Sequence, residues 1–145
     1  MKKRMNPATI MTLLTPDSPE WTKEAAHGTF KYHVDRIYDR GLLPGGTQGR
    51  GRRCHVHLVP DLTGSVGAKL KSGTDAIVIV DMDEYNKLGG VVYVSEQGVR
   101  LTEGIVMGRE PLARIPPICI RRIVDRETGA LLVCNTAAFH DDSET

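Results

Sequence analysis

Ala76-Ile77-Val78-Ile79-Val80 is a continuous apolar run, closed by Asp81. A run this short and unbroken is the pattern of a central strand buried on both faces. Asp81 ends the strand and is placed to cap the short helix that Met82 to Leu88 suggests. Further on, Val91 to Ser95 and Val99 to Thr102 read as two short strands joined through Glu96-Gln97-Gly98, with Gly98 supplying the positive φ of a tight connection. Pro111, Pro116 and Pro117 punctuate the next segment. Ile118 to Val124 then alternates apolar and basic residues, and Ala130 to Cys134 answers it across Asp125-Arg126-Glu127-Thr128-Gly129, which predicts a final hairpin.

On the N-terminal side of the run, Leu62 to Lys71 carries small and apolar residues between glycines and reads as a short helix packed on the sheet. His55 to Val59 is a strand, preceded by a Gly-rich loop over Leu43 to Gly51. Phe30, Val34, Ile37 and Tyr38 fall at helical spacing, which predicts an amphipathic helix from Thr29 to Arg40 with Thr29 near its N-cap and Gly41 as its stop. Residues 1–24 are expected to be irregular, because Pro7, Pro16 and Pro19 break any helix; Ala8 to Leu14 fits a short helix or a strand. Asp17-Ser18-Pro19-Glu20 reads as a cap and helical turn with Trp21 packing inward. The last residues, His140 to Thr145, form an acidic tail. One good helix followed by many short strands predicts an α+β domain with a mixed, mainly antiparallel sheet core.

The 145 residues suffice for one domain and a single core, and the 40% hydrophobic and 26% charged composition is that of an ordinary globular chain. Aromatics make up only 5%, so the core must rest on Val, Ile and Leu. A net charge of +1 argues against a surface that grips nucleic acid all over, while leaving room for a local basic patch. Cys54, Cys119 and Cys134 are odd in number and widely spaced, so they match neither a disulfide framework nor a zinc knuckle. Met1-Lys2-Lys3-Arg4 is followed by no apolar stretch of signal-peptide type, and no apolar run reaches membrane-spanning length. A reduced intracellular compartment, cytoplasmic or (in a eukaryote) nuclear, is the expectation, and nothing in the sequence sets an oligomeric state.

Chemistry gathers in Arg50-Gly51-Arg52-Arg53-Cys54-His55-Val56-His57-Leu58. Three arginines feed a strand whose alternation puts His55 and His57 on one face and Val56 and Leu58 on the other, an arrangement suited to an anionic ligand. The arginines suit bidentate phosphate contacts, though a solvated loop accounts for them too. The His-x-His pair needs further ligands to hold a metal, and His27, His33, Cys54 and His140 show no recognisable spacing; ligand-contacting or structural histidines are the simpler reading. Cys54 beside the arginines reads as a structural thiol without a partner base. His27-Gly28-Thr29 suits close backbone approach of a ligand at a helix N-terminus, or is an ordinary polar cap. Asp81, Asp83 and Glu84 fit helix capping better than paired acid–base chemistry.

Together these pieces resemble the RNA 2′-phosphotransferase family, which removes the 2′-phosphate left at a tRNA splice junction. The resemblance rests on His27-Gly28-Thr29, on Ile37 and Gly41-Leu42, on Arg53-Cys54-His55-Val56-His57-Leu58, and on Val94-Ser95-Glu96-Gln97-Gly98-Val99-Arg100-Leu101-Thr102. These stand in the family's order over about residues 25–115. Gln97 departs from the family's usual Asn, and Arg100 from a common aromatic.

The resemblance implies an ADP-ribosyltransferase-like lobe over residues 25–135, between the irregular segment 1–24 and the tail 136–145. It implies NAD as co-substrate without a metal, and a 2′-phosphorylated RNA such as tRNA as partner. His27, Gly28, Thr29, His55, His57, Ser95 and Val99 would bind NAD. Arg53 would be catalytic at the transferred phosphate, with Arg50 and Arg52 as further phosphate contacts. The family also has an N-terminal winged-helix lobe with an Arg-His pair and another catalytic arginine. Only 26 residues precede His27, and no Arg-His dipeptide is among them. Two other readings therefore stand beside it: a different ADP-ribosyl transfer, to protein or to a nucleic-acid phosphate, and a lobe that binds NAD or a nucleotide without turnover.

Overall fold

The computed structural model describes residues 11–44, 55–60, 70 and 72–134. Among the described residues eight strands make two four-stranded sheets, and every strand pair is antiparallel. In chain order they are β1 (Met11–Leu14), β2 (Glu24–Thr29), β3 (Val56–Leu58), β4 (Ala76–Asp81), β5 (Val92–Ser95), β6 (Arg100–Thr102), β7 (Ile120–Asp125) and β8 (Leu131–Cys134). Two short α-helices among the described residues, α1 (Val34–Arg40) and α2 (Met82–Lys87), join them in an α+β domain. One sheet runs β1-β5-β6-β3 and the other β2-β4-β7-β8.

The apolar run is β4, and it is central in its sheet: Ala76 to Val80 are all buried, with β2 on one side and β7 on the other. Its two faces enter two cores, as expected of a strand without a wet side. Ala76, Val78 and Val80 join the main cluster between the sheets, with Leu14, Ile37, Val56, Leu58, Val92, Ile115 and Ile123. Ile77 and Ile79 pack on the opposite face with Ala26, Val59, Leu70 and Val124. The two sheets meet where Ala26 of β2 and Val59, just past β3, exchange two backbone hydrogen bonds of 2.8 Å.

Most strands stand where the pattern puts them, and Asp81 caps α2 by accepting from the Glu84 backbone N–H at 3.0 Å. Gly98 takes φ 87° in the β5–β6 connection. The helix from Thr29 is a correction. Glu24–Thr29 is a strand, Lys31–His33 a 3-10 turn, and the α-helix begins only at Val34. Thr29 therefore caps nothing; it pairs with Ala76, because β4 needs a partner along its whole length and β2 provides it from Glu24 to Thr29. Gly41 does end α1, for a packing reason as well as a conformational one: φ is 91°, and a Cβ there would lie 2.1 Å from the Ile115 carbonyl oxygen. That carbonyl accepts from the Leu42 N–H at 3.0 Å, tying the helix exit to the segment before β7. Residues 11–14 form a strand, one of the two forms that Ala8 to Leu14 fits. The helix expected over Leu62 to Lys71 and the acidic tail lie outside the described residues, apart from Leu70.

Candidate functional site

His27-Gly28-Thr29 sits on β2 rather than at a helix N-terminus, and the strand sets what each residue can do. His27 shares the face of its partner Val78, which looks into the space between the sheets. Its Nδ1 lies 2.9 Å from the carbonyl oxygen of His57 on β3. A carbonyl only accepts, so Nδ1 carries the proton, and the ring is held in one tautomer and one orientation. One hydrogen bond thus joins the two stretches that carried the chemistry in the sequence, across the seam between the sheets. Gly28 faces the other way, where a Cβ would stand 2.8 Å from Thr74 Oγ1. That hydroxyl accepts from Arg126 at 2.6 Å and is not at liberty to move. Thr29 is buried at the end of the strand.

On the other sheet the alternation expected for β3 holds: Val56 and Leu58 are buried, His55 and His57 half-buried. The register carries this across the sheet. His57 pairs with Leu101, Leu101 with Tyr93, and Val56 with the buried Thr102. By the two-residue period, His57, Leu101, Tyr93 and Ser95 line one face, turned away from the core, with His55 and Val99 just outside the strand ends. Ser95 Oγ accepts from the Val99 N–H at 3.2 Å, closing the hairpin tip. His55 Nε2 lies 3.9 Å from the Glu103 carboxylate, a partner for the imidazole when it is protonated. Seven of the expected site residues are thus placed: Ser95 shares a face with His57, Val99 closes the adjoining hairpin, His55 immediately precedes β3, His27 is bonded to that strand, and Gly28 and Thr29 follow on β2. Arg50, Arg52, Arg53 and Cys54 lie outside the described residues.

The carboxylates after β4 are structural. Asp81 caps α2 and pairs with Arg121 at 2.9 Å, and Asp83 accepts from the Trp21 indole N–H at 2.8 Å. Glu24 receives Arg121 at 3.1 Å and Arg122 at 3.2 Å, and the Glu24–Arg121–Asp81 ion pairs line one part of a groove of about 540 Å³. Lys31 Nζ meets Asp125 at 2.5 Å. That ammonium, with backbone N–H donors of the turn, holds the Asp125 carboxyl down to about 2. Among the described residues no group of three or more His, Cys, Asp or Glu is arranged to hold a metal. Burial pushes the Cys119 thiol up to about 12, so it stays protonated and inert.

Three features had escaped the sequence reading. Arg100, where an aromatic would be usual, is 5% exposed and donates to the carbonyls of Gly98, at 2.6 Å, and Glu20. It fastens the β5–β6 tip to the N-terminal segment. Tyr85 and Thr102 share a buried 2.5 Å hydrogen bond under the sheet. Phe30, Tyr32 and His33 bring three rings together at the exit of β2. All three follow from packing, the first two between segments distant in the chain.

An α+β domain of two antiparallel sheets thus joins, by one hydrogen bond at their seam, the motifs on which the resemblance to the RNA 2′-phosphotransferase family rests. Comparison with known proteins agrees. The chain matches the RNA 2′-phosphotransferase, Tpt1 / KptA family over residues 2–104, and it belongs to that family. It is similar to a probable RNA 2′-phosphotransferase of Burkholderia lata, 34% identical over 79 residues, which are 54% of this chain and 38% of that protein. It is also similar to tRNA 2′-phosphotransferase 1 of Danio rerio, 31% identical over 97 residues, or 66% of this chain and 40% of that one. The chain spans about two fifths of the length of the curated relatives it matches. No helix among the described residues is long and apolar enough to cross a membrane.

Proposed function

We propose that this chain takes part in NAD-dependent removal of a 2′-phosphate from RNA, as the lobe that holds NAD. The observation that carries the reading is the 2.9 Å hydrogen bond from His27 to the His57 carbonyl, in a chain of this family. It turns two separate motifs into one constellation with a fixed imidazole.

The residues suit a dinucleotide. His27 supplies an oriented imidazole at the seam; His57 of β3, His55 just before it and the Ser95 hydroxyl at the neighbouring hairpin add groups that can bond to ribose and amide. NAD enters as substrate, supplying an electrophilic ribose carbon with nicotinamide as leaving group. An oxygen of the RNA 2′-phosphate bonds to that carbon as the bond to nicotinamide breaks. The neighbouring ribose hydroxyl then attacks phosphorus and expels the RNA 2′-oxygen, which takes up a proton. The products are ADP-ribose 1″,2″-cyclic phosphate, nicotinamide and 2′-OH RNA. Arg53 is assigned to the transferred phosphate, where a guanidinium counters charge on the moving oxygens, and Arg50 and Arg52 to further phosphate contacts. Residues 25–135 would form the lobe.

The test is incubation with NAD and an oligoribonucleotide bearing one internal 2′-phosphate. Nicotinamide and the cyclic phosphate are expected in equal amounts, only when the 2′-phosphate is present. No nicotinamide, or the same amount with unphosphorylated RNA, refutes the reading.

A further inference from the structure

Seven aromatic residues serve the whole chain: two Phe, four Tyr and one Trp. Two of them stand together at the surface immediately after the His-Gly-Thr strand. Phe30 and Tyr32 stack with ring centroids 5.4 Å apart and planes only 12° from parallel. The His33 ring lies 4.3 Å from Tyr32, tilted by 57°. Tyr32 is nevertheless 77% exposed, in a chain whose core relies almost wholly on aliphatic residues. A core use is excluded for that ring, and its large apolar face is left open to solvent.

The cluster is held rather than loose. Asp75 accepts from the Lys31 N–H at 2.7 Å, and the Asp75 N–H donates to the Thr29 carbonyl at 3.0 Å, so the chain leaving β2 is clamped on both sides of Phe30. The His33 N–H closes the 3-10 turn on the Phe30 carbonyl at 2.9 Å. Lys31 is drawn down to Asp125, and the helix begins at Val34. The rings therefore project from a fixed turn. Cationic charge stands beside them: Arg36, four residues beyond Tyr32, is exposed, makes no ion pair among the described residues, and lies near enough for its charge to weigh on the His33 imidazole. Burial and that guanidinium both lower the His33 pKa, so at neutral pH its ring is uncharged and stacks as a neutral plane.

We propose that Phe30, Tyr32 and His33 form a stacking platform for an unpaired base of a single-stranded RNA, with Arg36 meeting an adjacent phosphate. A rigid, exposed aromatic face flanked by an arginine is what sequence-tolerant single-strand binding uses: the π face accepts any base, and the cation tracks the backbone. The open position favours a base on a strand that continues across the surface over the adenine of a dinucleotide, which is folded into a cleft. The inference rests on the reading of RNA as substrate; it adds where on the chain the strand lies, one turn beyond the strand assigned to NAD.

The test measures affinity for a fluorescent single-stranded oligoribonucleotide without any 2′-phosphate, by anisotropy at fixed low salt, for the intact chain and for Tyr32→Ala, Tyr32→Phe and Arg36→Ala. Tyr32→Ala should weaken binding roughly tenfold, as loss of one stacked base does, while Tyr32→Phe keeps most of it. Arg36→Ala should flatten the salt dependence as well as weaken binding. NAD binding, followed by its shift of the melting temperature, should be the same in all four. Equal RNA affinity for Tyr32→Ala and the intact chain overturns the platform, as does absence of RNA binding altogether. So does a loss of NAD binding parallel to that of RNA, because the ring would then serve the dinucleotide. If the proposed phosphate transfer fails but the platform holds, the oligonucleotide still binds through Tyr32 while no nicotinamide is released.

Discussion

Gly28 can be examined as a packing problem with a definite size. Alanine in place of glycine on a strand normally gains about 0.4–1 kcal/mol, because it removes freedom from the unfolded chain. Here the added methyl would stand 2.8 Å from Thr74 Oγ1, closer than side-chain carbons approach oxygen, with Leu70 and the Thr74 Cβ at 3.5 Å behind it. The hydroxyl does not swing away at no cost, since Arg126 donates to it at 2.6 Å and Thr74 is 6% exposed. Forcing atoms into such a site costs about 1–3 kcal/mol. The clash outweighs the entropy, and Gly28→Ala should destabilise by about 1–2 kcal/mol. A four-member cycle in urea melts isolates the cause. Thr74→Ala alone loses the Arg126 hydrogen bond, about 1 kcal/mol. In the double variant the methyl added at position 28 occupies the space the hydroxyl left, so the combined loss should fall short of the sum by about 1 kcal/mol. Costs that add to within about 0.3–0.5 kcal/mol would show that the two positions do not touch, and would refute the packing argument.

Gly41→Ala should cost more, about 3 kcal/mol, because it combines a φ of 91° with a methyl driven onto the Ile115 backbone oxygen; a melting temperature within a degree of the original would sink that view. The carboxyl of Asp125 should titrate near 2 by NMR, and Lys31→Ala should return it towards the ordinary 3.8. Its pKa is depressed in the fold, so the stability it contributes is present above about 3.8 and disappears as the pH falls towards about 2; an unshifted carboxyl in the intact chain contradicts this. Iodoacetamide at about pH 8, below the ordinary thiol pKa, should leave Cys119 unmodified in the native protein and alkylate it in urea, read by peptide mass; native labelling at the rate of an exposed thiol would be the contrary result. Arg53→Ala should abolish nicotinamide release while leaving the circular-dichroism melt unchanged, and retained turnover would remove Arg53 from the chemistry.

The legible parts of this chain are those where one physical requirement dominates. An apolar run as uninterrupted as β4 has nowhere to go except the centre of a sheet, and alternation about His55 and His57 assigns faces before any partner is known. The β2 strand was illegible for the opposite reason. Glu24-Ala25-Ala26-His27-Gly28-Thr29 has no β-branched residue before Thr29, and its small side chains suit the tight space beside β4 and Thr74 instead of announcing a strand. Helical spacing from Phe30 onward then drew the boundary too far back. Spacing within one stretch also could not show that His27 faces the His57 carbonyl, since the two belong to different sheets. The role of Arg53 stays an inference from the motif it belongs to.

The two sheets draw their strands from interleaved parts of the chain: β1, β3, β5 and β6 in one, β2, β4, β7 and β8 in the other. A ribosome delivering this protein therefore completes neither sheet early. Met11 waits for Ser95, and β4 keeps one bare edge until Ile120 to Asp125 has emerged. During that interval the most apolar segment of the molecule is a strand with unpaired N–H and C=O groups, ready to join any other strand it meets. A chain that stops at residue 119 would keep every motif of the candidate site and still be the form most prone to aggregate. The final hairpin, which carries none of the residues assigned to the reaction, is what closes that edge and makes the site attainable in solution.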